Sequence, residues 1–187
     1  MRVYITRHGE SENNRKGLWT GWFDASLTER GIEDAKRAGK VFSGVRFDKV
    51  FASDLKRAVE TAKNALAPCE IETSELLREI DVGSLACRPL STITDEERAL
   101  AYKVGYKAYG GETKEQFHLR VQEFKKMLET LGCENVAVFS HAGWLRAFLN
   151  EVLEITVPSK NLCCNNCTVA IFEYTNGEWK LYSWINL

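Results

Sequence analysis

Four residues of this chain have side chains and settings suited to handling an anion: Arg7, His8, Arg57 and His141. His8 follows the run "RVYIT" in the series Arg7-His8-Gly9-Glu10. A histidine beside an arginine makes a poor core residue, because the arginine resists burial. Gly9 permits close backbone approach to a ligand, or an unusual dihedral. His141 closes "NVAVFSH", and Ala142-Gly143 then open a predicted helix. The first turn of a helix offers unpaired N–H groups and partial positive charge, which favour an anion. Arg57 lies in the first turn of another predicted helix, where a cation opposes the macrodipole. A ligand would account for it, whereas Lys56 beside it reads as a solvated helix cation. Taken singly, each of the four has an ordinary explanation as a loop, capping or surface residue.

Taken together they form a cationic pocket. Arginine forks match phosphate oxygens bidentately, an imidazole can act as nucleophile, and a carboxylate can move a proton. Glu10, Glu79 and Asp81 are equal candidates for that carboxylate on chemistry alone. This set suits phosphoryl transfer with neither metal nor cofactor. The sequence has no H-x-H, no H-E-x-x-H and no dense aspartate cluster, the patterns that would point to a metal. The G-x-S-x-G of a serine hydrolase is missing as well,.

The predicted elements must bring these residues to one place. "RVYITRH" reads as a strand that runs into a Gly- and Trp-rich loop, "KGLWTGWFDAS". "LTERGIEDAKRAGKVFSG" reads as a helix with Thr28 as N-cap and Gly44 as its stop. "FDKVFAS" is a short strand. "DLKRAVETAKNAL" is a helix with Leu55, Ala58, Val59, Ala62 and Leu66 on one side, ended by Pro68. "EIETS" is a brief strand before the turn-like "LLREIDVG". The segment 84–111 is weakly periodic and reads as a partly helical insertion over the site. "TKEQFHLRVQEFKKMLETLG" is an amphipathic helix, "NVAVFSH" a buried strand of the parallel-sheet kind, and "GWLRAFLNEVL" a further helix. Asn176-Gly177, between "CTVAIFEY" and "EWKLYSWI", is a strong hairpin signal. Strands alternating with helices predict a three-layer α/β/α fold with a mostly parallel central sheet and one antiparallel strand near the C-terminus. In such sheets ligands bind at the carboxyl ends of strands, which places His8, Ser53 and His141 on one edge.

Composition sets the outer bounds. The 187 residues are 44% hydrophobic and 27% charged, with a formal net charge of −1. That profile fits one globular domain with a substantial core, spanning 1–187. Nothing in the net charge suggests general attraction to nucleic acid or to an anionic membrane. With no signal peptide and no apolar run long enough to span a bilayer, the expected location is cytoplasmic. The chain has six cysteines, of which Cys164 and Cys167 form a C-x-x-C. With no second such pair to complete four zinc ligands, chance clustering in a reduced protein is the expected reading.

Several blocks of the sequence resemble the histidine phosphatase superfamily, the phosphoglycerate-mutase-like group. "RHGES" at 7–11 is similar to its signature, and Asn14 matches the asparagine that follows. "TGWFDASLTERG", "SDLKRAVETA", "LREIDVG", "SHAGWLRAF" and "NNCTVAIFEY" resemble its further blocks, in the family's order and across nearly the whole chain. The resemblance implies that His8 is the nucleophile and forms a phosphohistidine. It implies that Arg7, Arg57 and His141 bind the phosphoryl oxygens, that Asn14 adds a hydrogen bond, and that Glu79 is the proton donor to the leaving group. Thr20, Gly21, Ala142 and Gly143 match positions that line the substrate in the mutases. Ala142 stands where glycine is commoner, and "SLACRP" replaces the usual aromatic and glycine after Gly83.

A mutase must hold a doubly phosphorylated intermediate, and in the family the second cationic cluster lies in the insertion. Here the insertion offers Arg88, Arg98, Lys103 and Lys107 against Asp95, Glu96 and Glu97, with no adjacent arginine pair. The expected function is therefore a phosphomonoester hydrolase acting on a small phosphorylated metabolite, of the alpha-ribazole phosphatase or broad-specificity kind. The alternatives are a phosphoglycerate mutase and, in another class, a non-catalytic member that binds phosphorylated ligands or a protein. The sequence leaves the substrate and the oligomeric state open.

Overall fold

The computed structural model describes residues 1–158 and 161–187, and of Tyr102 the backbone. Its centre is a six-stranded sheet of order β3-β2-β4-β1-β5-β6. The strands are β1 (Arg2–Arg7), β2 (Lys49–Ser53), β3 (Glu72–Ser74), β4 (Asn135–Ser140), β5 (Val169–Thr175) and β6 (Glu178–Ile185). The first four run parallel, and β5 runs against its neighbours β1 and β6. The predicted α/β class and the antiparallel strand near the C-terminus are both present. Asn176 and Gly177 both have positive φ, 54° and 83°, the geometry of the two-residue hairpin turn that their identity predicts.

Side-chain alternation along the strands builds the two outer layers. From β1, Val3 and Ile5 face one side and pack with α5 (Lys114–Thr130) and α6 (Ala142–Leu153) through Phe124, Leu128, Trp144 and Phe148. Tyr4 faces the other side, toward Ala35, Ala38 and Phe42 beside α2 (Glu29–Gly39) and Ala62 of α3 (Lys56–Ala65). Thr28 is the N-cap of α2 and its side chain accepts from Gly31 N–H. The regular helix stops earlier than expected, at Gly39, where a Cβ would stand 2.4 Å from the Ala65 carbonyl and the two helices touch. A 3₁₀ turn continues to Phe42 before Gly44 takes a left-handed φ of 77°.

One element escaped prediction: the single-turn helix α1 (Glu12–Arg15), closed by a capping box between Ser11 and Asn14. Between β3 and α5, 3₁₀ turns and α4 (Asp95–Val104) surround a small separate cluster of Val82, Leu85, Ile93, Ala101 and Tyr106. Partial helicity in 84–111 is thus present. No described helix is long and apolar enough to cross a membrane.

Candidate active site

β1 and β4 are adjacent and in register, Arg7 beside Ser140. Their next residues, His8 and His141, therefore leave the sheet at one level. The His8 N–H extends the ladder by one bond to the Ser140 carbonyl, at 2.9 Å. The two imidazoles meet edge-on, with ring centroids 5.2 Å apart. Arg57 comes up beside them from the first turn of α3. Its two terminal nitrogens donate to the Phe23 and Gly21 carbonyls, at 2.9 and 2.8 Å. It thereby moors the loop between β1 and α2. Ser53, the third predicted strand end, turns its hydroxyl onto the Leu55 N–H and does not line the site.

His8 is buried, and its Nδ1 lies 2.7 Å from the Gly9 carbonyl. A carbonyl only accepts, so Nδ1 carries the hydrogen and Nε2 keeps its lone pair. Burial, together with the nearby Arg57 and Arg7 guanidiniums, pushes the His8 pKa well below the usual histidine value. Burial, then Arg57, His8, Arg7 and Arg120, does the same to His141. Burial also lowers Arg57, to about 10, which leaves it charged at neutral pH.

Two buried neutral histidines carry a stability cost in acid. Unfolded, each takes up a proton near its ordinary pKa of about 6.5, while the folded form resists it. Their contribution is complete above that value and is lost as pH falls toward the depressed folded pKa. Unfolding free energy should therefore be lower at about pH 5.5 than at about pH 7.5, with both rings contributing to the loss. Denaturant titration at the two pH values checks this, and a His8→Gln/His141→Gln double variant should lose most of the difference. A native protein equally stable at both values would contradict the burial of neutral rings.

Five buried side-chain polar atoms lack a partner among the described residues, and four of them belong here: Arg7 Nε, Arg57 Nε and both ring nitrogens of His141. Buried polar groups are nearly always hydrogen-bonded, and a cluster of exceptions asks for an explanation. An anion supplies it, since acceptor oxygens satisfy all these guanidinium donors at once. Among the described residues no carboxylate lies within 4 Å of Arg7 or Arg57 to serve instead.

Arg7, His8 and Arg57 line a cavity of about 380 Å³, together with Asn14, Thr20, Gly21, Glu79, Ala142 and Gly143. Every predicted site residue except His141, which is fully buried, reaches its wall. The three carboxylate candidates now separate. Glu10 accepts from the Thr28 hydroxyl at 2.8 Å, and Asp81 from the Gly83 N–H at 3.0 Å, and neither lines the cavity. Glu79 does, with Oε2 3.0 Å from the Gly143 N–H at the start of α6.

Two glycines also have a steric role that the sequence did not suggest. A Cβ on Gly9 would lie 2.5 Å from the Gly31 carbonyl. The residue is therefore small so that the exit of β1 can cross α2, and its φ is not left-handed. A Cβ on Gly143 would lie 2.2 Å from Glu79 Oε1, so this glycine makes room for the carboxylate. Asn14 Oδ1 is occupied by the Ser11 N–H and Asn166 Nδ2, which leaves its amide NH₂ for a ligand. Cys164 and Cys167 are buried thiols, and the Cys164 carbonyl accepts from Arg7. Among the described residues no group of three or more His, Cys, Asp or Glu is placed to hold a metal.

The sequence pattern of the histidine phosphatase superfamily, branch 1, matches residues 3–187. The chain belongs to that superfamily. An adenosylcobalamin/alpha-ribazole phosphatase of Salmonella typhimurium is 32% identical over 87% of this chain and 83% of its own. A "probable phosphoglycerate mutase" of Salmonella paratyphi A is 25% identical over 99% of this chain and 90% of its own. The alpha-ribazole phosphatase structure from Shigella flexneri superposes with a TM-score of 0.86 at 25% identity, covering 98% of this chain and 96% of its own. This histidine phosphatase thus resembles relatives named for hydrolysis and for mutation alike.

Proposed function

We propose that the protein is a phosphomonoester hydrolase that works through a phosphohistidine on His8. The observation that carries this is the cluster of unpartnered buried nitrogens on Arg7, Arg57 and His141 around a histidine whose Nε2 lone pair is free. The phosphoryl group sits among those donors, and Asn14 adds its NH₂. Nε2 attacks phosphorus as the bond to the leaving oxygen breaks. The guanidiniums hold the spread negative charge of the transition state, a contribution of about 10²–10³-fold for a single preorganised donor. Glu79 passes a proton to the leaving oxygen. It then takes one from the water that attacks phosphorus and breaks the N–P bond, releasing phosphate. General acid–base help of this kind contributes roughly 10²–10⁴-fold. Residues 84–111 act as the cap that meets the leaving group, and Thr20 and Gly21 complete the wall beside it.

The cap's cations favour hydrolysis over mutation. Arg88 is paired with Glu97 at 2.8 Å, and Lys103 and Lys107 are exposed away from the cavity. Arg98 donates to the Leu90 carbonyl and stacks over Trp19. No cap cation lines the catalytic cavity; among the described residues the further cation on its wall is Arg146 of α6, which donates to the Leu162 carbonyl. Substrates of the alpha-ribazole phosphate kind, or a broader set of phosphorylated metabolites, fit this reading, as does a cytoplasmic location. The deciding experiment incubates the metal-free protein with a panel of phosphomonoesters, and with 3-phosphoglycerate and its bisphosphate primer. Phosphate release is expected. Isomerisation without release would make it a mutase, and neither reaction would make it a binding protein.

Gly143→Ala tests the placement of Glu79 without touching its chemistry. The new methyl group would stand 2.2 Å from Oε1 and push it away. The carboxylate end is flexible, so the fold should survive with little change in Tm. Displacing the carboxylate by about 1 Å should cost kcat about 10- to 100-fold. Unchanged kcat in a folded variant would detach Glu79 from the reaction.

A further inference from the structure

Residues 75–80 carry Glu79 to the cavity with little regular structure of their own, only the 3₁₀ turn Glu75–Leu77. Backbone carbonyls outside regular structure need other partners, and here side chains from four separate elements supply them. Ser140 of β4 donates to the Leu77 carbonyl at 2.7 Å, and Trp144 of α6 to that of Leu76 at 2.8 Å. Trp22, from the loop before α2, donates to that of Glu79 at 2.6 Å. The largest share falls to Arg120 of α5. Its Nη1 reaches the Glu75, Leu76 and Arg78 carbonyls at 3.3, 3.0 and 3.2 Å, and its Nη2 reaches that of Glu79 at 3.3 Å. The fork is aimed by Glu112, which accepts from Nε at 2.7 Å and from Nη2 at 2.8 Å. The Phe117 ring lies below it, 5.2 Å from the guanidinium carbon. Glu112 also accepts from the Asp81 N–H at 2.9 Å, just beyond Glu79.

We propose that Arg120, held by Glu112, is the positioning residue for proton transfer, fixing the backbone that aims the Glu79 carboxylate at the leaving oxygen. This rests on the reading of Glu79 as the acid. Arg120 is absent from the cavity wall, so its effect on the reaction must pass through the backbone it grips. A lysine keeps the charge but is a point donor without the planar fork, and it cannot span carbonyls 75–79 and Glu112 together.

The test compares Arg120→Ala, Arg120→Lys and Glu79→Gln on an aryl phosphate with an activated leaving group and on an alkyl phosphate with a poor one. A misplaced acid costs most where the leaving oxygen needs a proton. Arg120→Ala should therefore lose about 10- to 100-fold in kcat on the alkyl ester, much less on the aryl ester, with KM nearly unchanged. Arg120→Lys should resemble it, and added guanidinium should partly restore Arg120→Ala. If Arg120→Ala folds poorly, Trp22→Phe removes one donor to the Glu79 carbonyl, leaves an aromatic ring in its place, and should show the same leaving-group bias more weakly. If Glu79→Gln discriminates between the esters and the Arg120 and Trp22 variants do not, the positioning role is wrong. If none discriminates, Glu79 is not the acid, and the positioning role falls with it.

Discussion

His8→Ala should bind phosphate and turn over no ester. The ring is the only part of His8 that the substitution removes. The backbone N–H still donates to Ser140, and the carbonyl still accepts from Asn166 Nδ2 and the Cys167 N–H. The anion-binding donors on Arg7, Arg57 and His141 keep their places, so affinity for inorganic phosphate or vanadate should fall little. Catalysis should fall by at least about 10³-fold, because the nucleophile is gone and the residual rate comes from binding and the remaining donors. Quenching the wild-type protein in alkaline detergent during turnover of a labelled ester should trap alkali-stable phosphoprotein that loses its label on acidification, and the variant should trap none. Persistent turnover or labelling in His8→Ala would end the phosphohistidine mechanism.

His8 was legible as a candidate because the fold is legible. A short apolar strand ending in Arg-His-Gly can be read from Val3 and Ile5, and an equally apolar strand ends at His141. Their meeting follows from the rule for parallel sheets. Thr28 and Asn176-Gly177 announce a cap and a turn because the chemistry of each is local. Other features depend on what lies across the fold. Glu10, Glu79 and Asp81 are alike until the distances to Thr28, Gly83 and Gly143 separate them. Gly9 suggested space for a ligand, yet its missing side chain is filled by the backbone of Gly31, twenty-two positions away in sequence. Arg120 was hidden by its surroundings, since one arginine in an amphipathic helix full of charges looks solvated. Only the carbonyls of Glu75–Glu79, which no periodicity reveals, show what it holds. The Ser11–Asn14 capping box was missed for a different reason: its helix is a single turn, too short for any apolar repeat.

Arg57 separates shape from charge at this site. Arg57→Lys retains the positive charge and loses the fork. It can no longer hold both Gly21 and Phe23 while also facing the phosphoryl group with Nε. The expected loss in kcat/KM is about 10³-fold, at the upper end for one oxyanion donor, because the 20–24 loop is released as well. Arg57→Met removes the charge too. After burial itself, that charge is the largest cause of the low His8 pKa. Without it His8 takes up a proton at higher pH, and a protonated imidazole has no lone pair for phosphorus. The acid limb of kcat/KM, which reports the free enzyme, should therefore move to higher pH in Arg57→Met and stay in place in Arg57→Lys. Full activity in the lysine variant would show that charge alone suffices. An unmoved acid limb in the methionine variant would show that the limb belongs to some group other than His8. The two outcomes are independent, since the first concerns where donors point and the second concerns how a buried charge sets the protonation of its neighbour.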